Sequence, residues 1–134
     1  MIKKSIWIAE DDPDDRLIIK EAFEENHYLE KLSFFEDGEK VLLKINEDGI
    51  DGLSVYPSLL ILDLNMPKIN GLELLSLIKK NNKTKNIPVV ILTTSRNNYD
   101  REKIMKMGAD DFITKPFSFD LMIEITKNLI SKYG

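Results

Sequence analysis

Carboxylate side chains follow two short apolar runs of the sequence. Glu10, Asp11 and Asp12 come directly after residues 6–9, and Asp63 comes directly after residues 59–62. If the two runs are neighbouring strands, these acids converge at one edge of a sheet, where they repel one another unless a cation lies among them. Oxygen ligands of this kind suit Mg²⁺. The spacing therefore indicates a magnesium site, although three consecutive acids alone are also typical of a helix start.

A hydroxyl and an ammonium group follow two further apolar runs. Thr93 comes after residues 89–92, and Lys115 comes shortly after Phe112 and Ile113. Beside a carboxylate and a cation, these groups suit a phosphoryl group, whose oxygens carry negative charge. A carboxylate can accept a phosphoryl group and form an aspartyl-phosphate. Taken singly, Lys115 could form a salt bridge and Thr93 could cap a turn, but the four strand ends together favour phosphoryl chemistry.

Alternating strands and helices are the elements that must position these side chains. The predicted strands are residues 6–9, 32–35, 59–62, 89–92 and 112–113. The predicted helices run from 13 to about 26, from 37 to 45, from 70 to about 81, from 98 to 108 and from 119 to about 131, with a surface loop over 46–57. This alternation predicts an α/β, flavodoxin-like (βα)5 fold. Its doubly wound, five-stranded parallel sheet has the order 2-1-3-4-5, with ligands bound at the carboxyl ends of the strands.

Size and composition limit the classes of protein that need to be considered. The chain has 134 residues, which suits one domain, and 43% of them are hydrophobic. A net charge of −4 argues against a nucleic-acid partner. The absence of cysteine excludes disulfides and thiolate metal sites. No apolar run approaches the roughly 20 residues that span a bilayer, so we expect a cytoplasmic protein without a membrane partner.

The chain resembles the receiver domain of two-component response regulators over essentially its whole length. The motifs that carry the resemblance are Glu10-Asp11, Leu62-Asp63-Leu64-Asn65-Met66-Pro67 followed by Asn70-Gly71, then Thr93 and Lys115-Pro116. The resemblance implies that Asp63 is the phosphoacceptor and that Mg²⁺ is the cofactor. It also implies a single receiver domain over residues 1–134 without an output domain. Such a protein signals rather than acts as an enzyme, although it promotes its own phosphorylation and dephosphorylation.

The resemblance assigns the remaining site residues as well. Asp11 and Asp63 would bind Mg²⁺ directly, together with the backbone carbonyl of Asn65, and Glu10 would bind directly or through water. Thr93 and Lys115 would contact the phosphoryl oxygens, and the bond before the proline that follows Lys115 would be cis. A register slip of one residue would replace Glu10 by Asp12. The helix start that follows, Pro13-Asp14-Asp15, favours Glu10.

The resemblance also implies how the signal is passed on. The hydroxyl of Thr93 would move towards the phosphoryl group and Phe112 would turn inward; the less favoured alternative is that Phe112 is a core residue in both states. The change would be read at the face of the fourth helix, fifth strand and fifth helix. On that fifth helix, the predicted core stripe is Leu121, Met122, Ile125 and Leu129. Ile123 and Ile130 lie off the stripe, as either a partner face or scattered exposed residues.

The implied partners are a histidine kinase or a histidine phosphotransfer protein, and then a downstream protein or a second copy of the chain. The longer loop before the third strand and the segment Leu92-Thr93-Thr94-Ser95 are similar to single-domain regulators found with phytochrome-type histidine kinases.

Three other classes of protein fit the pattern less well. A flavin carrier needs a phosphate-binding loop after the first strand, where Glu10 and its neighbours would repel phosphate. A phosphatase of the haloacid dehalogenase type needs a second aspartate two residues after the first, where this chain has Asn65. The third alternative is a receiver-like docking module that works without phosphorylation, against which the complete set of acids, Thr93 and Lys115 argues.

Overall fold

Five parallel strands form a single sheet in the order β2-β1-β3-β4-β5. The computed structural model describes residues 4–50, 56–95 and 97–134. The strands are β1 (Ser5–Ala9), β2 (Lys31–Phe35), β3 (Leu59–Leu62), β4 (Val89–Thr93) and β5 (Asp111–Thr114). Every residue of β1, β3 and β4 is buried because helices cover both faces of the sheet. The predicted fold class and strand order are therefore confirmed.

Five helices alternate with the strands and set the direction in which the chain leaves each strand end. They are α1 (Pro13–Glu25), α2 (Gly38–Ile50), α3 (Gly71–Lys80), α4 (Asn98–Lys106) and α5 (Phe119–Tyr133). Side chains of Asp12, Asn70 and Ser118 accept hydrogen bonds from backbone N–H groups in the first turns of α1, α3 and α5. No helix in the described ranges is long and apolar enough to cross a bilayer.

Two apolar clusters lie on opposite faces of the sheet, because successive strand side chains point in opposite directions. One includes Trp7 and Leu60 and is covered by α2, α3 and α4. The other includes Ile8 and Ile61 and is covered by α1 and α5. The carboxyl ends of the strands are thus held between two packed layers, which gives the side chains at that edge a rigid base.

Helix α2 is longer than the sequence predicts. Its predicted end was residue 45, but the helix continues to Ile50, so part of the predicted loop is helical. Val41 and Ile45 are buried one turn apart and anchor the helix on the sheet. A glycine inside a helix costs only about 1 kcal/mol, so Gly49 does not stop it. The rest of the predicted loop, residues 51–55, lies outside the described residues.

Helix α5 buries most of the predicted core stripe, including Met122 and Leu129, but the stripe differs from the prediction at one edge. Leu121 was predicted in the core stripe, but 56% of it is exposed. Ile123 and Ile130 were predicted to lie off the stripe, yet both pack against the buried cluster. The reason is the contact with α1: the side-chain amide of Asn26 donates to the hydroxyl of Thr126 at 2.8 Å and to the carbonyl of Ile123 at 3.0 Å. Ile123 and Ile130 are therefore neither scattered exposed residues nor spare apolar side chains of a partner face, and both interpretations are wrong.

Candidate functional site

Backbone hydrogen bonds beyond the strands hold the strand ends in register. The N–H of Glu10 donates to the carbonyl of Phe35 at 2.9 Å, and the N–H of Asp63 donates to the carbonyl of Ala9 at 3.0 Å. At the other side of the sheet, the N–H of Lys115 donates to the carbonyl of Thr93 at 2.6 Å. The side chains predicted from the sequence therefore start from backbone positions that the sheet itself fixes at one edge.

Three carboxylates meet at this edge. Carboxylate oxygens of Glu10, Asp11 and Asp63 all lie within 4.8 Å of one another, with Glu10 and Asp63 buried and Asp11 exposed. Asp12 is exposed, and its side chain accepts a hydrogen bond from the N–H of Asp14 at 2.9 Å. The structure thus brings Glu10, and not Asp12, into the cluster. The set of hard oxygen donors fits a divalent cation such as Mg²⁺.

The ammonium of Lys115 contacts two members of this cluster and one acid outside it. Its Nζ atom lies 3.1 Å from Oδ2 of Asp63 and also contacts Oε1 of Glu10. The third partner is Oδ2 of Asp15, on the first turn of α1, at 2.8 Å. Only 10% of the Lys115 side chain is exposed. A buried ammonium therefore lies directly against the predicted phosphoacceptor.

Burial, hydrogen bonds and neighbouring charges shift the pKa values of Glu10 and Lys115. Burial raises the pKa of the Glu10 carboxyl to about 8, opposed by the hydrogen bond from Lys115 and assisted by the charge of Asp63. Burial by itself lowers the pKa of the Lys115 ammonium. The hydrogen bonds to Asp15 and Glu10 outweigh this effect and raise that pKa above its ordinary value. Lys115 is therefore charged at any physiological pH.

The turn after β3 packs closely on the backbone of Asp63. The N–H of Asn65 lies 3.4 Å from Oδ1 of Asp63, and the N–H of Gly71 donates to the carbonyl of Leu64 at 3.1 Å. A Cβ atom at Gly71 would overlap the carbonyl oxygen of Asp63 and would lie 2.9 Å from the Cα of Leu64. Glycine is required here because the start of α3 lies against the strand end that carries Asp63.

The two predicted switch residues are both buried. Thr93 is fully buried, and its hydroxyl lies 3.4 Å from the N–H of Ser95. Phe112 is only 5% exposed and packs in the cluster covered by α2, α3 and α4. The hydroxyl of Thr114 donates to the carbonyl of Ser95 at 3.2 Å, which connects the segment after β4 to β5. The ring of Phe112 is thus already inside the protein in this structure.

The bond between Lys115 and Pro116 is trans, so the expectation of a cis bond is wrong. The trans form is the lower in free energy for most bonds before proline, by roughly 0.5–1 kcal/mol.

Two site residues were missed in the sequence. Asp15 contacts Lys115, as described above, and Arg16 donates from Nη1 to the carbonyl of Glu10 at 2.7 Å. Both lie in the first turn of α1, where charged residues were interpreted only as part of the helix start. The sequence contains no signal that separates Asp15 from its neighbour Asp14, since the rotation of the helix decides which one faces Lys115.

Comparisons with known proteins give a consistent result. A family model described as response regulator receiver domain matches residues 6–127. Response regulator Rcp1 from Synechocystis is 34% identical over 112 residues, which are 84% of this chain and 76% of that protein. The probable methanogenesis regulatory protein FilR2 from Methanothrix harundinacea is 34% identical over 117 residues, 86% of this chain and 74% of that protein.

Solved structures agree with the sequence relatives. The phosphorylated cyanobacterial phytochrome response regulator RcpA superposes with a TM-score of 0.87 at 30% identity, over 98% of this chain and 94% of that one. The Mn²⁺-bound form of Rcp1 gives a TM-score of 0.83 at 30% identity, over 96% and 92% of the two chains. Fold, strand-end residues and relatives lead to one conclusion: the chain belongs to the response regulator receiver domain family of two-component signalling systems.

Proposed function

We propose that this chain accepts a phosphoryl group on Asp63 from a histidine kinase or a histidine phosphotransfer protein, and that it signals by a change of shape. The observation that carries the proposal is the position of Lys115, whose ammonium lies 3.1 Å from Asp63 and also contacts the buried Glu10. A buried cation beside a carboxylate at the carboxyl edge of a parallel sheet suits the binding of an anionic group there.

The transfer step moves phosphorus from nitrogen to oxygen. A carboxylate oxygen of Asp63 forms a bond to phosphorus as the bond between phosphorus and the donor imidazole nitrogen breaks. The electron pair of that bond stays on the nitrogen, and the donor leaves as neutral imidazole when its other nitrogen carries a proton. The ammonium of Lys115 and the hydroxyl of Thr93 then donate hydrogen bonds to oxygens of the phosphoryl group. The product is an aspartyl-phosphate.

The carboxylates of Glu10, Asp11 and Asp63, with the backbone carbonyl of Asn65, would hold Mg²⁺ in this proposal. Their oxygens are close enough to share one cation, and all-oxygen sets are what Mg²⁺ prefers. When bound, Mg²⁺ supplies positive charge that offsets the charge of the phosphoryl oxygens. The existence of an Mn²⁺-bound form of the related Rcp1 supports the binding of a divalent cation by this chain.

Signalling would begin at Thr93, whose hydroxyl must turn from Ser95 towards the phosphoryl group. The carbonyl of Ser95 accepts a hydrogen bond from Thr114, so a shift after β4 would reach β5 and the neighbouring helices. Phe112 is buried before any phosphoryl group is added. We therefore propose that the change lies mainly in the segment after β4, and that a downstream protein or a second copy reads it at the face of α4, β5 and α5.

The donor proposed for this chain is a phytochrome-type histidine kinase, because the related RcpA is named a cyanobacterial phytochrome response regulator. The protein would promote its own phosphorylation and dephosphorylation and would act as a signalling protein rather than as an enzyme.

Intact mass spectrometry tests the proposal. After incubation with acetyl phosphate and Mg²⁺, the wild-type protein should gain one phosphoryl group, and Asp63→Asn should gain none. EDTA should prevent the reaction in the wild type. A folded wild type that binds Mg²⁺ and beryllofluoride but never gains mass would point to rejection of this donor, which a histidine kinase would then replace. A protein that binds neither would be a docking module that works without phosphorylation.

A further inference from the structure

The ammonium of Lys115 is shared by three carboxylates. Its three N–H groups face Oε1 of Glu10, Oδ2 of Asp15 at 2.8 Å and Oδ2 of Asp63 at 3.1 Å. An ammonium has only three donors, so all of them are used. The contact with Asp63 is the longest of the three. The ammonium is therefore shared between the proposed phosphoacceptor and two other carboxylates, one of which lies on α1.

Asp15 differs from the other two partners in position and surroundings. It lies on α1 rather than at a strand end, and 33% of its side chain is exposed, against 2% for Glu10 and 8% for Asp63. It is not one of the three acids whose oxygens are close enough to share a cation. Its hydrogen bond with Lys115, at 2.8 Å, helps to raise the pKa of that ammonium, as does the hydrogen bond with Glu10. Asp15 therefore binds the ammonium of Lys115 from a position outside the cluster of Glu10, Asp11 and Asp63.

We propose that Asp15 is a positioning residue of the phosphorylation site: its carboxylate holds part of the Lys115 ammonium on the α1 side and so keeps Asp63 and Glu10 available. This inference rests on the proposed function. Without Asp15, the third donor of Lys115 turns to the two remaining carboxylates, and the pairing with both becomes tighter. Asp63 must loosen that pairing before one of its oxygens can bond to phosphorus, and both acids must loosen it before they can bind a cation.

The competing interpretation is that Asp15 only supplies negative charge to the first turn of α1. Asp14 is a matched control for that effect, because it lies in the same turn, carries the same charge and is exposed. Replacing either residue by asparagine removes one charge at nearly the same distance along the helix. A difference between the two variants therefore reports the contact of Asp15 with Lys115 rather than the helix end.

Calorimetric titration with Mg²⁺ alone measures this difference without any phosphoryl donor. We expect Asp15→Asn to weaken Mg²⁺ binding by about fivefold to tenfold, because Lys115 then competes harder for Glu10 and Asp63. Asp14→Asn should weaken it by less than about twofold, since the charge of an exposed residue is screened. In a Lys115→Met background the two asparagine variants should bind Mg²⁺ equally. Unfolding in urea would verify that each variant is folded.

Phosphorylation by acetyl phosphate gives the second measurement. At saturating Mg²⁺, Asp15→Asn should lower the maximal rate by about fivefold to tenfold, as the loss of a positioning contact does, while Asp15→Glu restores most of it. Equal Mg²⁺ affinities for Asp15→Asn and Asp14→Asn, or an unchanged loss in the Lys115→Met background, would overturn the inference. A wild type that binds Mg²⁺ but accepts no phosphoryl group from acetyl phosphate or from a histidine kinase would instead overturn the proposed function. The Mg²⁺ binding measurements would still decide the role of Asp15.

Discussion

Lys115 reaches Asp63 across an intervening strand: its Nζ atom lies 3.1 Å from Oδ2 of Asp63, although β4 separates the two strands that precede these residues. The side chain crosses the end of β4 and pairs with Asp63 and Glu10 at the middle of the sheet. The contact is nearly closed to solvent, with 10% of the Lys115 side chain and 8% of that of Asp63 exposed. This ion pair places a positive charge beside Asp63, where an incoming phosphoryl group would bind.

Removal of this cation should destabilise the metal-free protein. In Lys115→Met, the buried carboxylates of Glu10 and Asp63 lose their shared partner, which we expect to cost about 1–3 kcal/mol. The loss stays in this range because the pKa of Glu10, about 8 with Lys115 present, rises further without it, and a protonated Glu10 leaves no unpaired charge. Urea unfolding in EDTA measures the difference. Addition of Mg²⁺ should stabilise the variant more than the wild type, since the cation no longer competes with an ammonium; a smaller gain would contradict the arrangement described.

Asp11 should contribute more to Mg²⁺ affinity than the exposed acids in the first turn of the helix that follows it. Its carboxylate lies within 4.8 Å of those of Glu10 and Asp63, so the cation can bind all three at once. We expect Asp11→Asn to lower the affinity for Mg²⁺ by at least about tenfold, whereas Asp14→Asn changes it little. Calorimetric titration measures both variants. Similar affinities for the two would mean that Asp11 acts only through its charge.

Gly71 should tolerate no side chain. In Gly71→Ala, the new Cβ atom would overlap the carbonyl oxygen of Asp63, so either α3 or the end of β3 must move. We expect a loss of about 1–3 kcal/mol in the free energy of unfolding, as for other overpacked sites, together with slower phosphorylation at Asp63. Ser76→Ala, later in the same helix, is the control for the change in helix propensity. A variant as stable and as reactive as the wild type would show that α3 does not constrain Asp63.

The side chain of Asn26 should stabilise the packing of α1 on α5. Its amide group donates to Thr126 at 2.8 Å and to the carbonyl of Ile123 at 3.0 Å. Asn26→Ala leaves both acceptors without this donor, which we expect to cost about 1–3 kcal/mol. Asn128→Ala, at an exposed position of α5, should cost less than about 0.5 kcal/mol. Chemical unfolding compares the two variants. Equal losses of stability would show that the contacts of Asn26 do not orient α5.

The sequence predicts the fold well where the residue types in a short run determine its burial. The residues of β3 are all apolar and all buried, and the polar residue that ends such a run marks the sheet edge. For that reason the sequence assigns Asp63 and Thr93, which follow such runs, to one edge, and assigns Lys115, two residues after Ile113, to the same edge. The cluster of Glu10, Asp11 and Asp63 follows from the strand order, because β1 and β3 are neighbours.

Two of the differences from the prediction depend on helix rotation, which the residue types do not specify. Leu121 and Ile123 are both apolar, and the contact of Asn26 with α5 decides which of them faces the core. Asp14 and Asp15 are the same residue type in the same turn, and only the geometry of α1 directs Asp15 to Lys115. Such distinctions arise from packing between elements that are far apart in the sequence.

Mapping the phosphorylated residue is the most direct test of the central claim. Borohydride reduces an aspartyl-phosphate to homoserine, and tandem mass spectrometry of peptides then locates that residue. After incubation with acetyl phosphate and Mg²⁺, followed by reduction, we expect homoserine at position 63, and none in samples treated with EDTA. Homoserine at Asp11 or Asp12 with an unmodified Asp63 would contradict it, because the contact of Lys115 with Asp63 would then not mark the phosphoacceptor.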